Sequence, residues 1–161
     1  MNGTRLFRRV LAVAAVALLF GAEPPGLAED DLLPAESHWK GTLTQRSKSS
    51  EGAYFPPELQ AELTITRRDG TDFEGELREQ SEGLDVTFLV RGKLLRGADK
   101  SYAVEFKSYA VKGVPTAAVY YVNVPYTARV SDGGLTGSWA YEDKEAEVAL
   151  DGEFKLKRAD E

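Results

Sequence analysis

The sequence predicts an all-β fold: a single antiparallel up-and-down β-barrel of about eight strands, preceded by a signal-peptide helix. Three observations predict it. First, four trios set a glycine between two large apolar residues at a spacing of two: Trp39-x-Gly41-x-Leu43, Phe73-x-Gly75-x-Leu77, Leu135-x-Gly137-x-Trp139 and Leu150-x-Gly152-x-Phe154. Residues two apart on a strand share a face, so each trio lies on one face with its glycine at the centre. Glycine inside a strand marks a sharp bend or the close approach of another group, and a sheet that curls onto itself needs both. Second, apolar and polar residues alternate along most of the chain from Trp39 onward, in runs joined mainly by hairpin-length links. Third, no window sustains apolar spacings of three and four, so no substantial helix is expected beyond the leader. Alternation alone does not separate closure from stacking, and a two-sheet β-sandwich is the alternative.

Residues 1–28 read as the signal peptide. Arg5, Arg8 and Arg9 form its basic region, Val10 to Phe20 its apolar run, and Gly26-Leu27-Ala28 offers small residues for cleavage after Ala28. That run is short against the roughly 20 residues a membrane span needs. Residues 29–38 are acidic and without period, a flexible lead-in, and residues 39–158 form the barrel domain with 159–161 as a tail. Trp39, Gly41 and Leu43 open the first strand, and a polar loop from Arg46 ends in Tyr54-Phe55-Pro56-Pro57. Leu59, Ala61, Leu63 and Ile65 face inward on the second strand, and Asp69-Gly70 signals a tight hairpin to Phe73, Gly75 and Leu77. Leu84, Val86, Phe88 and Val90 form the next inward row, with a short separate strand at Lys93 to Arg96. Tyr102, Val104 and Phe106 come next; Gly133-Gly134 joins the Tyr126–Val130 and Leu135–Tyr141 runs; Val148 to Leu156 closes the series. From Tyr109 to Tyr126 apolar residues occupy both faces, and Pro115 and Pro125 forbid a central strand there. Something must cover that second face, or it is exposed.

Composition narrows the function classes. The formal net charge of −6 becomes −8 once the leader, with three arginines and Glu23, is removed. An acidic domain without a basic stripe is a poor partner for nucleic acid or an anionic membrane surface. The absence of cysteine excludes a lipidated-cysteine anchor, disulfides and thiol chemistry. No membrane span is expected after signal cleavage, so the chain reads as exported, periplasmic or extracellular, and soluble.

Ser37-His38-Trp39-Lys40-Gly41-Thr42 at the entry to the first strand, with Leu135-Thr136-Gly137-Ser138-Trp139 later, resembles the calycin group of lipocalins, fatty-acid-binding proteins and avidins. The resemblance implies the barrel and no particular binding residues. A C-terminal helix and a cysteine pair of the lipocalin kind are both missing from the pattern.

The inward row assembles a candidate ligand-binding interior of Trp39, Phe73, Phe88, Tyr102, Phe106, Tyr126, Trp139, Tyr141 and Phe154, with tyrosine hydroxyls as its polar handles. The trio glycines either leave room there for a ligand or yield space to rings from neighbouring strands. Tyr54, Phe55, Tyr109, Val119, Tyr120 and Tyr121 are candidates for a portal, a partner patch or a plug over one barrel end. His38 is the only histidine and stands beside Ser37 on a strand, where adjacent side chains diverge, so no nucleophile–base pair is expected. Asp72, Glu74, Glu76 and Asp85 fall on the solvated face. The expectation is a non-enzymatic binding protein holding a small apolar or amphipathic ligand, without cofactor or metal. The alternative is a packed barrel acting by contact with a protein partner, as an inhibitor or envelope scaffold.

Overall fold

The structure is a computed structural model that describes residues 29–47, 55–117, 120–131 and 133–159; the predicted leader, Tyr54 and Val119 lie outside the described residues. A one-turn helix α1 (Glu29–Leu32) precedes nine strands: β1 (His38–Thr44), β2 (Arg46–Ser47), β3 (Glu58–Asp69), β4 (Asp72–Ser81), β5 (Leu84–Arg96), β6 (Tyr102–Val111), β7 (Pro125–Ser131), β8 (Gly134–Asp143) and β9 (Val148–Arg158). From β3 to β9 each strand pairs antiparallel with its successor, and β1 pairs with both β3 and β9. Leu43 thus faces Leu59 across one ladder and Phe154 across the other, which closes an eight-stranded barrel. Closure decides between barrel and sandwich. The two residues of β2 continue the β1–β9 ladder in the same register, Arg46 opposite Asp151 and Ser47 opposite Leu150.

Alternation places the inward rows as their periodicity demands. Leu59, Ala61, Leu63 and Ile65 are buried on β3; Phe73 and Leu77 on β4; Val86, Phe88, Val90 and Leu94 on β5. The rings interlock rather than enclose a void. Phe106 stacks on Tyr126 at 4.7 Å between centroids and 3° between planes, and Phe154 stands edge-on to both at 6.0 Å. Phe73 and Trp139 extend the cluster at 6.1 and 6.3 Å. These separations match favourable aromatic packing, so the middle of the barrel is a core.

The trio glycines answer a backbone constraint. A Cβ on Gly152 would run into the carbonyl oxygen of Thr44 on the adjacent strand and lie 2.6 Å from Nε1 of Trp139. Gly41, likewise, would meet the Lys155 carbonyl oxygen. The strands coil so tightly that neighbouring main chain occupies the Cβ position, the kinked geometry that closing a small barrel demands. Neither glycine makes room for a ligand.

Three expectations need correction. The lead-in is packed: Leu33 is fully buried, Leu32 and Ser37 are buried, and Glu36 N–H donates to the Ile65 carbonyl at 2.7 Å. Two leucines in an otherwise acidic stretch are enough to anchor it. Lys93–Arg96 is no separate strand, because β5 runs unbroken through Gly92, whose missing side chain makes way for Phe73 and Phe106. The β3–β4 turn also sits one residue later than Asp69-Gly70 suggests: Asp69 pairs with Asp72, leaving Gly70 and Thr71 at the tip, and only Gly70 takes positive φ, +57°.

Candidate functional site

The barrel has two unlike ends. One, the floor, carries the β3–β4, β5–β6 and β7–β8 turns, the start of β1 and the end of β9, and is covered by the Leu32–Ser37 segment. There Arg68 Nη1 donates to the Leu33 carbonyl at 3.2 Å and Trp39 Nε1 to Ser37 Oγ at 3.0 Å. The other, the mouth, carries the long connections from β2 to β3 and from β6 to β7.

The β6–β7 connection forms a strap. Its first part runs beside β5, where Asp85 and Thr116 exchange backbone hydrogen bonds at 2.8 and 2.9 Å. Its end is stapled to the fully buried Ser108, whose Oγ accepts from the Val124 N–H at 3.1 Å and whose carbonyl accepts from Asn123 N–H at 2.9 Å. Tyr121 then lies on Tyr141 at 4.7 Å and 6.3 Å from Phe55, so strap, β8 and the β2–β3 loop meet over the mouth. The apolar residues on both faces of this stretch have a reason: one face covers the barrel end.

Beneath them is a cavity of about 50 Å³. Phe88, Tyr126, Trp139 and Leu150 form its base, Tyr121 and Tyr141 its rim, and Glu79 enters from β4. The Tyr126 hydroxyl donates to Glu79 Oε1 at 3.2 Å. Burial pushes the Glu79 carboxyl from its ordinary 4.5 to about 7, against the opposing pull of that hydrogen bond. Averaged over the residue, Glu79 is only half-buried; the carboxyl is the enclosed end, since the tyrosine it bonds is 4% exposed. Burial, with the Glu79 charge second, also drives Tyr126 well above the ordinary tyrosine range. Burial and the nearby Asp143 raise Tyr141.

The site residues predicted from sequence divide. Phe73, Phe106, Tyr126, Trp139 and Phe154 form one cluster in the core, with Phe88 buried beside the cavity. Trp39 belongs to the floor; Tyr102, half-buried, starts β6 at that same end, beneath the Arg96 guanidinium at 5.8 Å. Tyr141, Phe55, Tyr120 and Tyr121 gather at the mouth. Tyr109 does not: it is the bulged residue between the pairs Leu89–Ala110 and Val90–Ser108, and projects outward under Arg91 at 4.7 Å. Asp72, Glu74, Glu76 and Asp85 do lie on the outer face, Glu76 paired with Lys112 at 2.6 Å and Asp85 with Arg78 at 2.6 Å.

Sequence reasoning missed Glu79 and Gln45. Both sit on the inward parity, two residues beyond Leu77 and Leu43, and following each row past its last apolar member would have found them. Gln45 Nε2 donates to the Pro56 carbonyl at 2.6 Å, tying the β2–β3 loop to the mouth.

No family model, curated protein or solved structure matches this chain. The arrangement at the mouth therefore carries the functional argument. An enclosed carboxyl set among aromatic faces can serve as a counter-ion or, when protonated, as a hydrogen-bond donor.

Proposed function

We propose that this chain is an exported, non-enzymatic binding protein of calycin-like architecture that takes a small amphipathic ligand at the mouth of its barrel. One observation carries the reading: a partly enclosed cavity lined by aromatic rings contains a single carboxyl group and lies under a strap that is pinned at its ends. Sites for drug-sized ligands run to roughly 300–1,000 Å³, so a cavity of about 50 Å³ accepts a head group with its remainder outside. The interlocked core rings favour the mouth over the deep interior. Native mass spectrometry of protein purified from its own source tests the reading, together with the Trp139 fluorescence of the same sample before and after denaturing dialysis. A retained small molecule whose loss alters that emission is the expected result. A bare polypeptide mass with unchanged emission refutes it.

The exposure of Val114, at 97%, favours a second reading, contact with a protein partner through the strap, where Tyr120 is also 45% exposed. Replacing Val114 and Tyr120 together by serine is then expected to abolish partner capture at an unchanged melting temperature. Retained capture refutes this reading.

A further inference from the structure

We infer that the mouth recognises a primary ammonium group on a slender alkyl stem, with Glu79 as its counter-ion. The inference rests on the mouth-binding reading and adds the ligand's charge and shape.

The sign of the charge comes from counting donors and acceptors. Trp139 Nε1 is spent on the Thr44 carbonyl at 3.1 Å, the Tyr126 hydroxyl on Glu79, and the Gln45 amide donates to the Pro56 carbonyl. Tyr141 is hydrogen-bonded to Asp143. No lysine, arginine or histidine is among the residues that line the cavity. What remains is acceptor capacity: the second oxygen of Glu79, the Gln45 side-chain carbonyl and the aromatic faces. An anionic head group would find its best donors already committed. An ammonium would find a carboxylate and the electron-rich faces of Tyr121, Tyr126, Tyr141 and Trp139, the setting in which cation–π attraction is strongest.

Enclosure strengthens the case. A carboxylate held out of water without a cation is costly, and a bound ammonium removes that cost as it gains its own hydrogen bonds. Among the described residues, Glu79 has the Tyr126 hydroxyl and no cationic partner. The acidic chain, −6 overall, draws cations toward the surface.

Size sets the shape. Holding one water takes roughly 10–15 Å³ of such space, so about 50 Å³ admits an ammonium with its first methylenes and excludes a bulky ring. The stem leaves between Tyr120 and Tyr121. A free alkylamine and a lysine side chain share this chemistry.

The test is a fluorescence and calorimetric titration of the full chain with n-butylammonium, its neutral counterpart 1-butanol, and Nα-acetyl-lysine-methylamide alone or within a short peptide. Butylammonium is expected to bind at least tenfold more tightly than 1-butanol. Glu79→Gln, with its fold checked by circular dichroism, is expected to erase that preference, and Tyr141→Leu to weaken the amine more than the alcohol. Comparable binding of all amine probes assigns a free amine; at least tenfold tighter binding of the peptide assigns a protein lysine. Equal affinity for amine and alcohol, or a preference that survives Glu79→Gln, overturns the ammonium inference and leaves mouth binding standing. No binding of any probe, with a bare native mass, overturns both.

Discussion

Replacing Glu79 by glutamine isolates the one enclosed carboxyl of the mouth. The amide has the same shape and its oxygen can still accept the Tyr126 hydroxyl, so the substitution removes only the proton equilibrium. Folding lifts the Glu79 carboxyl from 4.5 to about 7, so the folded chain holds a proton that the unfolded chain releases. The protonated form is the stabilised one: its contribution is complete below about pH 4.5, fades as pH rises, and is gone above about 7. At about 1.36 kcal/mol for each tenfold change in proton affinity, the full effect is about 3 kcal/mol. For a domain of this size that corresponds to about 10 °C in melting temperature. Other shifted groups act elsewhere: Asp85 and Asp99 are held below the ordinary carboxyl range, by Arg78 and by Ser101, while Tyr126 and Tyr141 rise above the ordinary tyrosine value. Thermal melts monitored by circular dichroism from pH 4.5 to 7.5 should therefore show the wild-type chain losing stability relative to Glu79→Gln. Parallel curves would refute the desolvation argument, and a wild-type gain across the window would reverse its sign.

Gly152→Ala should cost at least 1–3 kcal/mol, the usual penalty for overpacking, because its methyl meets the Thr44 carbonyl and the Trp139 indole; a melting temperature within a degree or two of wild type would refute the kinked geometry. Leu33→Ala should cost about 2–5 kcal/mol in urea unfolding, since the side chain is fully buried at the floor; a negligible change would mean that the segment is loose after all. Ser108→Ala leaves the buried Val124 N–H without its side-chain acceptor and should loosen the strap, costing about 1–3 kcal/mol and quickening proteolysis within residues 112–124. Unchanged cleavage there would show that the Ser108 side chain does not hold the strap.

Most of the barrel was legible because period-two alternation is a local signal. Trp39, Leu63, Val90 and Phe154 each declare their face through neighbours two residues away, and the structure buries all four. The ring closure through β1 and β9 was not legible, since the pairing of Leu43 with Phe154 depends on residues over a hundred positions apart. Bulges were hidden for a related reason. An extra residue at Tyr109 shifts the parity of its strand beyond that point, so a ring assigned to the mouth points to the outer wall. The mouth was half legible: its aromatics stood out as a break in alternation, whereas Glu79 looked like one more surface acid among Glu74, Glu76 and Arg78. Only its place on the inward row separates it from them.

Because the first and last barrel strands are partners, with Trp39 opposite Arg158, both polypeptide entry points lie side by side at the floor. A tether, fusion domain or surface attachment added at either terminus would leave from that end. The opening beneath the tyrosine strap would then look away from the attachment and stay accessible from solution. Immobilisation through a terminal tag should accordingly preserve binding, whereas coupling through Lys112, at the strap itself, should block it.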